Sequence, residues 1–236
     1  IIEQFLVSSR GNGEGHRIVF STATHQELFD YCIKAFNTAW TYNFPTFVLG
    51  DGYQAKMREA LTIYDPVARG VELVPPRALL GDNLNGERKF RNFRNTYNTE
   101  EELFAVVMAH QRDWDKMASA VAEGDEQGCE GAETILVSHG VVARAAREAY
   151  EQLRSQGEKV GYFRPLTIRP FPGKQLRTAL GKGAKRILLA ESAYGQFLKI
   201  VQSETYGTPV EIVPLLRPGV GITTEEIIAE YNRVKQ

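Results

Sequence analysis

Cysteine is almost absent: two residues in 236, Cys32 and Cys129, with no spaced pattern between them. That excludes a disulfide framework and points to a reducing, cytoplasmic setting. Charge of one sign is also missing, since 28 Lys+Arg stand against 29 Asp+Glu. The balance argues against a polybasic nucleic-acid binder. No apolar run approaches the roughly 18–20 residues of a membrane-spanning helix, and no signal peptide opens the chain. His16, His25, His110 and His139 are dispersed, so no metal-ligand spacing is visible. GxSxG, HExxH and iron–sulfur cysteine patterns are absent as well. What is present is ordinary globular composition, 43% hydrophobic and 24% charged, which is enough apolar surface to exclude disorder as the dominant state. The chain opens Ile1-Ile2-Glu3 without an initiator methionine, so the expectation is a processed product, a domain or a part of a longer polypeptide.

Hydrophobic runs and capping signals alternate in a regular way. Ile18-Val19-Phe20-Ser21 predicts a buried strand. Thr24 and Glu27 form a capping-box pattern opening a helix with Leu28, Phe29, Cys32, Phe36 and Trp40 on one apolar face, which makes Cys32 a core thiol. Thr46 to Leu49 predicts a second strand, ending at Gly50-Asp51-Gly52. Strand, helix, strand with short connections predicts a right-handed parallel unit. Between Leu61 and Asn98 the periodicity vanishes among prolines and glycines, and the segment reads as a linker or interface arm. Thr99 and Glu102 open another helix through Leu103, Val106, Val107, His110, Trp114 and Met117. A polar stretch from Glu123 to Gly131 follows, with Cys129 in a loop.

The remainder is the most regular. Strands are expected at Thr134–Ser138, Lys159–Phe163, Arg186–Ala190 and Val210–Val213. Helices are expected at Val141–Ser155, Gly173–Leu180, Gln196–Ser203 and after the Thr223–Glu226 capping box, with RPLTIRPFP (Arg164 to Pro172) as connection. Alternating strands and helices predict open, largely parallel α/β sheets. The expected division is 1–60, the end of one α/β domain; 61–98, an arm; and 99–236, a second α/β domain.

Ligands of open α/β sheets bind outside the carboxyl ends of the strands. Three such ends carry polar groups: Asp51, the His139-Gly140 turn, and Glu191 with Gln196 beyond it. One reading is a pocket or subunit seam, with the helix N-terminus after Gly140 able to receive an anion. The other is turn chemistry, with glycines for tight bends and acids for capping. His139 is either a group acting near neutral pH or a hydrogen-bonded structural histidine. Gly11, Gly13 and Gly15 precede a strand where a dinucleotide loop must follow one, so they read as a turn-forming segment. The basic-aromatic stretch Arg88 to Tyr97 reads as a partner-binding arm or as a phosphate contact.

His16 to Glu59, above all AFNTAW, the aromatic before Pro45 and DGYQAKMRE, resembles the later half of the pyrimidine-binding domain of 2-oxoacid:ferredoxin oxidoreductase alpha chains. ETILVSHGVVARAAREAYEQLRSQGEKVGYFRPLTIRPFPGKQL resembles the transketolase C-terminal-like domain that follows it, and AESAYGQFLKIV is similar to that family's strand-Glu-x-x-x-Gly-Gln signature. The resemblance implies a partial thiamine-type open sheet followed by a second open α/β domain. It also implies part of an enzyme that oxidatively decarboxylates a 2-oxoacid to an acyl-CoA and reduces ferredoxin. Thiamine diphosphate, magnesium and iron–sulfur clusters belong to the whole enzyme, with none expected in this chain alone. The implied partners are the remaining alpha-chain residues or a beta-type thiamine-binding subunit, ferredoxin, the 2-oxoacid and coenzyme A, in a hetero-oligomer without nucleic acid or membrane. The family's activating glutamate and its substrate-contacting threonine and arginine match no position here. Gly50-Asp51-Gly52 lacks the downstream asparagines of a magnesium–diphosphate motif. No catalytic, cofactor-binding or metal-binding residue is therefore transferred. Transketolase-like and dehydrogenase E1-type thiamine enzymes share this fold, and a non-catalytic interaction module remains the reading from another class.

Overall fold

A computed structural model describes residues 15–76 and 96–235, and the backbone of 83–84 and 87–88. Residues 10–14 of the glycine-rich segment, and the side chains of Arg88, Lys89, Phe90, Arg91, Phe93 and Arg94, lie outside the described residues. Strand β1 (Ile18–Ser21) is buried along its whole length, as its apolar run requires. Helix α1 (His25–Tyr42) returns the chain to β2 (Thr46–Leu49), which pairs parallel to β1 with Ile18 opposite Thr46. A short helix α2 (Gly52–Lys56) follows, then a 3-10 turn (Val67–Arg69) and a hairpin of β3 (Asn83–Leu84) and β4 (Glu87–Arg88).

Helix α3 (Glu100–Val121) packs only its second half inward, setting Trp114, Met117 and Val121 against Ile18, Phe20 and Ala35. Thereafter come β5 (Gly124–Gln127), β6 (Thr134–Val137), α4 (Val142–Ser155), β7 (Val160–Pro165), β8 (Thr167–Arg169) and α5 (Gly173–Leu180). The chain ends with β9 (Arg186–Glu191), α6 (Gln196–Glu204), β10 (Glu211–Leu216) and α7 (Thr224–Val234).

Apart from the β3–β4 hairpin, the described residues form two open sheets. The larger has the order β10-β9-β6-β7-β5, parallel except for β5. Helices α4 and α7 cover one face through Ala146, Ala149, Leu153, Ile227 and Tyr231; α5 and α6 cover the other through Leu176, Ala179, Phe197 and Val201. Both faces being buried explains why β6 and β9 read as continuous apolar runs. The smaller sheet has the order β2-β1-β8. A two-stranded pair of four-residue strands would be marginal in water. Here β8 supplies the third strand, antiparallel to β1 with Phe20 opposite Thr167. The segment expected to be a connection (Arg164 to Pro172) thus stitches the two sheets together.

Several expectations are corrected. Cys32 is exposed and Phe36 is 71% exposed, because α1 turns Tyr31, Ala35 and Thr38 toward the sheet instead. Cys129 is the buried thiol, pointing at the carbonyls of Tyr162 (3.5 Å) and Gln127 (3.6 Å), and burial pushes it up to about 11. The polar stretch after Glu123 contains edge strand β5. Thr24 and Thr99 cap their helices, but Glu27 and Glu102 reach back to the amides of Ala23 and Asn98 rather than to the capping residue's own amide. Only the Thr223–Glu226 pair closes the reciprocal box among the described residues. No described helix is long and apolar enough to cross a membrane.

Candidate functional site

The larger sheet reverses direction at β6. From β6 the chain crosses through α4 to β7 on one side, and it returns through β9 and α6 to β10 on the other. The crevice between the carboxyl ends of β6 and β9 is the topological switch point, where open α/β sheets hold ligands. In this chain the carboxyl ends of β1 and β2 lie over the same crevice. They enclose a cavity of about 600 Å³ lined by Ser21, Leu49, Asp51, Tyr53, Lys56, His139, Gly140, Val141, Glu191, Ser192 and Ala193, among others. Four of the five residues expected from strand ends, Asp51, His139, Gly140 and Glu191, therefore meet in one cavity. Gln196 does not line it; its side chain accepts the Tyr194 amide at 2.9 Å within its own turn.

The two carboxylates are held by backbone. Asp51 caps α2 by accepting the Gln54 N–H on Oδ1 at 2.8 Å, and its Oδ2 accepts the Val141 N–H at 3.1 Å. The helix N-terminus after Gly140, which on one reading of the sequence could receive an anion, receives the chain's own aspartate. Gly140 turns the chain into this helix with a left-handed φ of +60°, a conformation that glycine adopts without strain. Glu191 accepts the Phe197 and Leu198 amides, one on each oxygen, both at 3.0 Å. It does the work of an N-cap for α6, whose own cap residue Gly195 (φ +87°) has no side chain.

His139 is half-buried, with Nδ1 3.0 Å from Ser21 Oγ and its ring 4.6 Å from Phe197. Burial lowers its pKa to about 4, helped by the charge of Arg164, so the imidazole is neutral at physiological pH. The sequence had shown no partner for it because Ser21 is 118 positions away. Lys56 and Tyr53, at the mouth on α2, belong to the DGYQAKMRE motif but were not read from the sequence as site residues. Lys56 makes no ion pair among the described residues, whereas the Tyr53 hydroxyl accepts the Gly221 N–H at 3.0 Å.

Two further contacts fasten the sheets beside the cavity. Arg164 at the end of β7 forms a bidentate pair with Glu27 of α1, at 2.9 and 2.6 Å. Glu59 accepts the amide and Nδ1 of His25 (3.0 and 2.8 Å) and pairs with Arg144 of α4. The His25 and Arg144 contacts hold its carboxyl down to about 2.

Asp51 gives a direct check on the seam. Replacing it by alanine removes a cap and a charged acceptor together, so Asp51→Ala should cost about 2–3 kcal/mol. Hydrogen exchange should show the loss at the Gln54 and Val141 amides first. A cost below about 1 kcal/mol, with both amides still protected, would mean that α4 finds another acceptor.

The fold and this shared crevice place the chain among paired open-sheet α/β proteins. The structure superposes on a 2-oxoglutarate:ferredoxin oxidoreductase from Magnetococcus marinus with a TM-score of 0.81, over 99% of this chain and 45% of that one, at 19% identity. A family model described as pyruvate flavodoxin/ferredoxin oxidoreductase, thiamine diphosphate-binding, matches residues 6–126, more than half of the chain. The pyruvate:ferredoxin oxidoreductase core domain II model matches residues 132–227. The chain belongs to the pyruvate flavodoxin/ferredoxin oxidoreductase family. Among its relatives, the ketoisovalerate oxidoreductase subunit VorB of Methanothermobacter marburgensis is 28% identical over 210 residues, 88% of this chain and 58% of that subunit. The 2-oxoglutarate synthase subunit KorA of Methanothermobacter thermautotrophicus is 27% identical over 233 residues, 86% of this chain and 60% of that subunit. The chain thus spans about three-fifths of the length of these relatives.

The described residues do not fit thiamine diphosphate by themselves. Its aminopyrimidine needs a carboxylate free to share a proton, and both carboxylates of the crevice are held by backbone amides. A magnesium–diphosphate needs clustered oxygen ligands, and no group of three His, Cys, Asp or Glu suited to a metal occurs among the described residues.

Proposed function

We propose that this chain is part of the alpha-type subunit of a 2-oxoacid:ferredoxin oxidoreductase, acting in the oxidative decarboxylation of a 2-oxoacid to an acyl-CoA with reduction of ferredoxin. The observation that carries the reading is the succession of the two family models along one chain, 6–126 and 132–227. The geometry supports a scaffold role for the described residues, because β8, Asp51, Glu27 and Glu59 all fix one sheet against the other. Thiamine diphosphate and magnesium then draw their ligands from residues beyond those described, and the iron–sulfur clusters belong to a partner chain. The partners are the remaining alpha-type residues or a beta-type thiamine-binding subunit, with ferredoxin, the 2-oxoacid and coenzyme A, in a cytoplasmic hetero-oligomer. The strand-end residues Asp51, His139, Gly140 and Glu191 form a ligand crevice at the seam.

The test is to tag this polypeptide in its source and isolate it under anaerobic, native conditions. An iron–sulfur partner should copurify, and the complex should reduce methyl viologen with a 2-oxoacid in a manner requiring coenzyme A. Isolation without any such partner, and without 2-oxoacid-dependent reduction, would remove the reading.

A further inference from the structure

The carboxylates, the imidazole and the ammonium group of the crevice differ in what they leave available. Asp51 is fixed by two amides but a carboxylate has about four acceptor positions, so its oxygens can still accept from a hydroxyl. Its charge, like that of Glu191, is offset by the helix N-terminus it caps. His139 is neutral and belongs to the wall through Ser21. The Ser192 hydroxyl donates to the Val220 carbonyl at 2.6 Å, which leaves its lone pairs as acceptors. The interior is thus rich in fixed acceptors and carries little uncompensated charge. At the mouth, Lys56 supplies an exposed ammonium group without a carboxylate partner among the described residues. A cavity of about 600 Å³ lies in the range of small-molecule sites.

We propose that this switch-point crevice binds a polyhydroxylated organic anion, with its hydroxyls donating to Asp51 and Ser192 and its anionic group on Lys56. The inference rests on the crevice being a ligand site, as proposed above. The anion is either a carboxylate or a phosphate ester, since one ammonium group serves both. A metal complex is disfavoured because no group of three His, Cys, Asp or Glu able to hold a metal ion occurs among the described residues. An inorganic anion alone would leave the interior acceptors without donors.

Calorimetric titration of the full chain with gluconate and with ribose 5-phosphate tests this, using Lys56→Gln and Lys56→Arg as variants. Lys56 is exposed, so neither variant disturbs the core. Saturable binding of one probe, weakened about tenfold in Lys56→Gln and retained in Lys56→Arg, is the expected result. Preference for gluconate or for ribose 5-phosphate then identifies the anionic group. If neither probe binds at up to about 10 mM, or if Lys56→Gln binds as tightly as the native chain, the inference is overturned. This readout is independent of the viologen assay: an active complex whose chain binds neither probe loses this inference alone, and a binding chain in an inactive complex loses the oxidoreductase reading alone.

Discussion

Glu27→Ala should destabilise the chain by about 3–5 kcal/mol, the cost of leaving a buried charge without its counter-ion. For a protein of this size that lowers the melting temperature by roughly 10–15 °C. The reason is the environment of Arg164, which is only 6% exposed. Its two terminal nitrogens meet the Glu27 carboxylate at 2.9 and 2.6 Å, one also meets the Ser21 carbonyl at 3.3 Å, and its Nε is buried without a hydrogen-bond partner. Removing Glu27 leaves that guanidinium desolvated with a single neutral acceptor. It also frees the Ala23 amide, which donates to Glu27 at 2.7 Å.

Burial opposes ionisation of Glu27, but Arg164 and the backbone amide of Ala23 outweigh it and hold the carboxyl below its usual range. A depressed carboxyl pKa stabilises the fold above the ordinary glutamate value, about 4.3, and that contribution is lost as pH falls below it. The native chain should therefore lose stability on acidification below about pH 4.3 through this pair, and Glu27→Ala should show a flatter acid limb. The double variant Glu27→Leu/Arg164→Met separates charge burial from packing. It should recover most of the loss, because apolar replacement of a buried pair is often neutral. Thermal melts of the three chains decide it; a Glu27→Ala cost under about 1 kcal/mol would place the pair among solvent-screened surface bridges.

The parts of the fold legible in the sequence are those whose burial is symmetric. Thr134–Val137 and Arg186–Glu191 have apolar residues on successive positions because helices cover both faces of the sheet. Strand β5, Gly-Asp-Glu-Gln, has no such signal. It lies at the sheet edge and is held by backbone pairing to β7, with Asp125 opposite Arg164. Strand β8 is hidden for another reason: it sits between Pro165 and Pro170 and forms only because β1, about 150 residues earlier, offers an edge.

The face of α1 misleads because small and polar residues do the packing. Ala35 lets the helix approach the sheet, and Thr38 turns its hydroxyl to the Lys34 carbonyl at 2.7 Å, while Phe36 stands outside. In the crevice, Asp51, His139, Gly140 and Glu191 were legible because strand ends are local features. Lys56, Tyr53 and Ser21 join them only through tertiary structure.

Glu191 is where structural and ligand-binding roles part most clearly. Its carboxylate is 2% exposed, and each oxygen takes one amide of the first turn of α6. Glu191→Ala should therefore cost about 3–4 kcal/mol, because two amides at a buried helix N-terminus lose their acceptor and the dipole loses its counter-charge. Glu191→Gln keeps the shape but offers one oxygen, and its amide group faces the second N–H; about 1–2 kcal/mol should be lost. Hydrogen exchange should report both variants at Phe197 and Leu198 before the rest of α6 opens. A residue that served only a ligand would behave differently, since its substitution by glutamine would leave stability and those two amides untouched. Because the same residue also lines the crevice, loss of the cap should loosen Ser192 and Ala193, which follow it and line the crevice beside it. The acid at the end of β9 caps α6 beside the crevice, and the stability of the Glu191→Gln variant is the quantity that decides between that role and direct ligation.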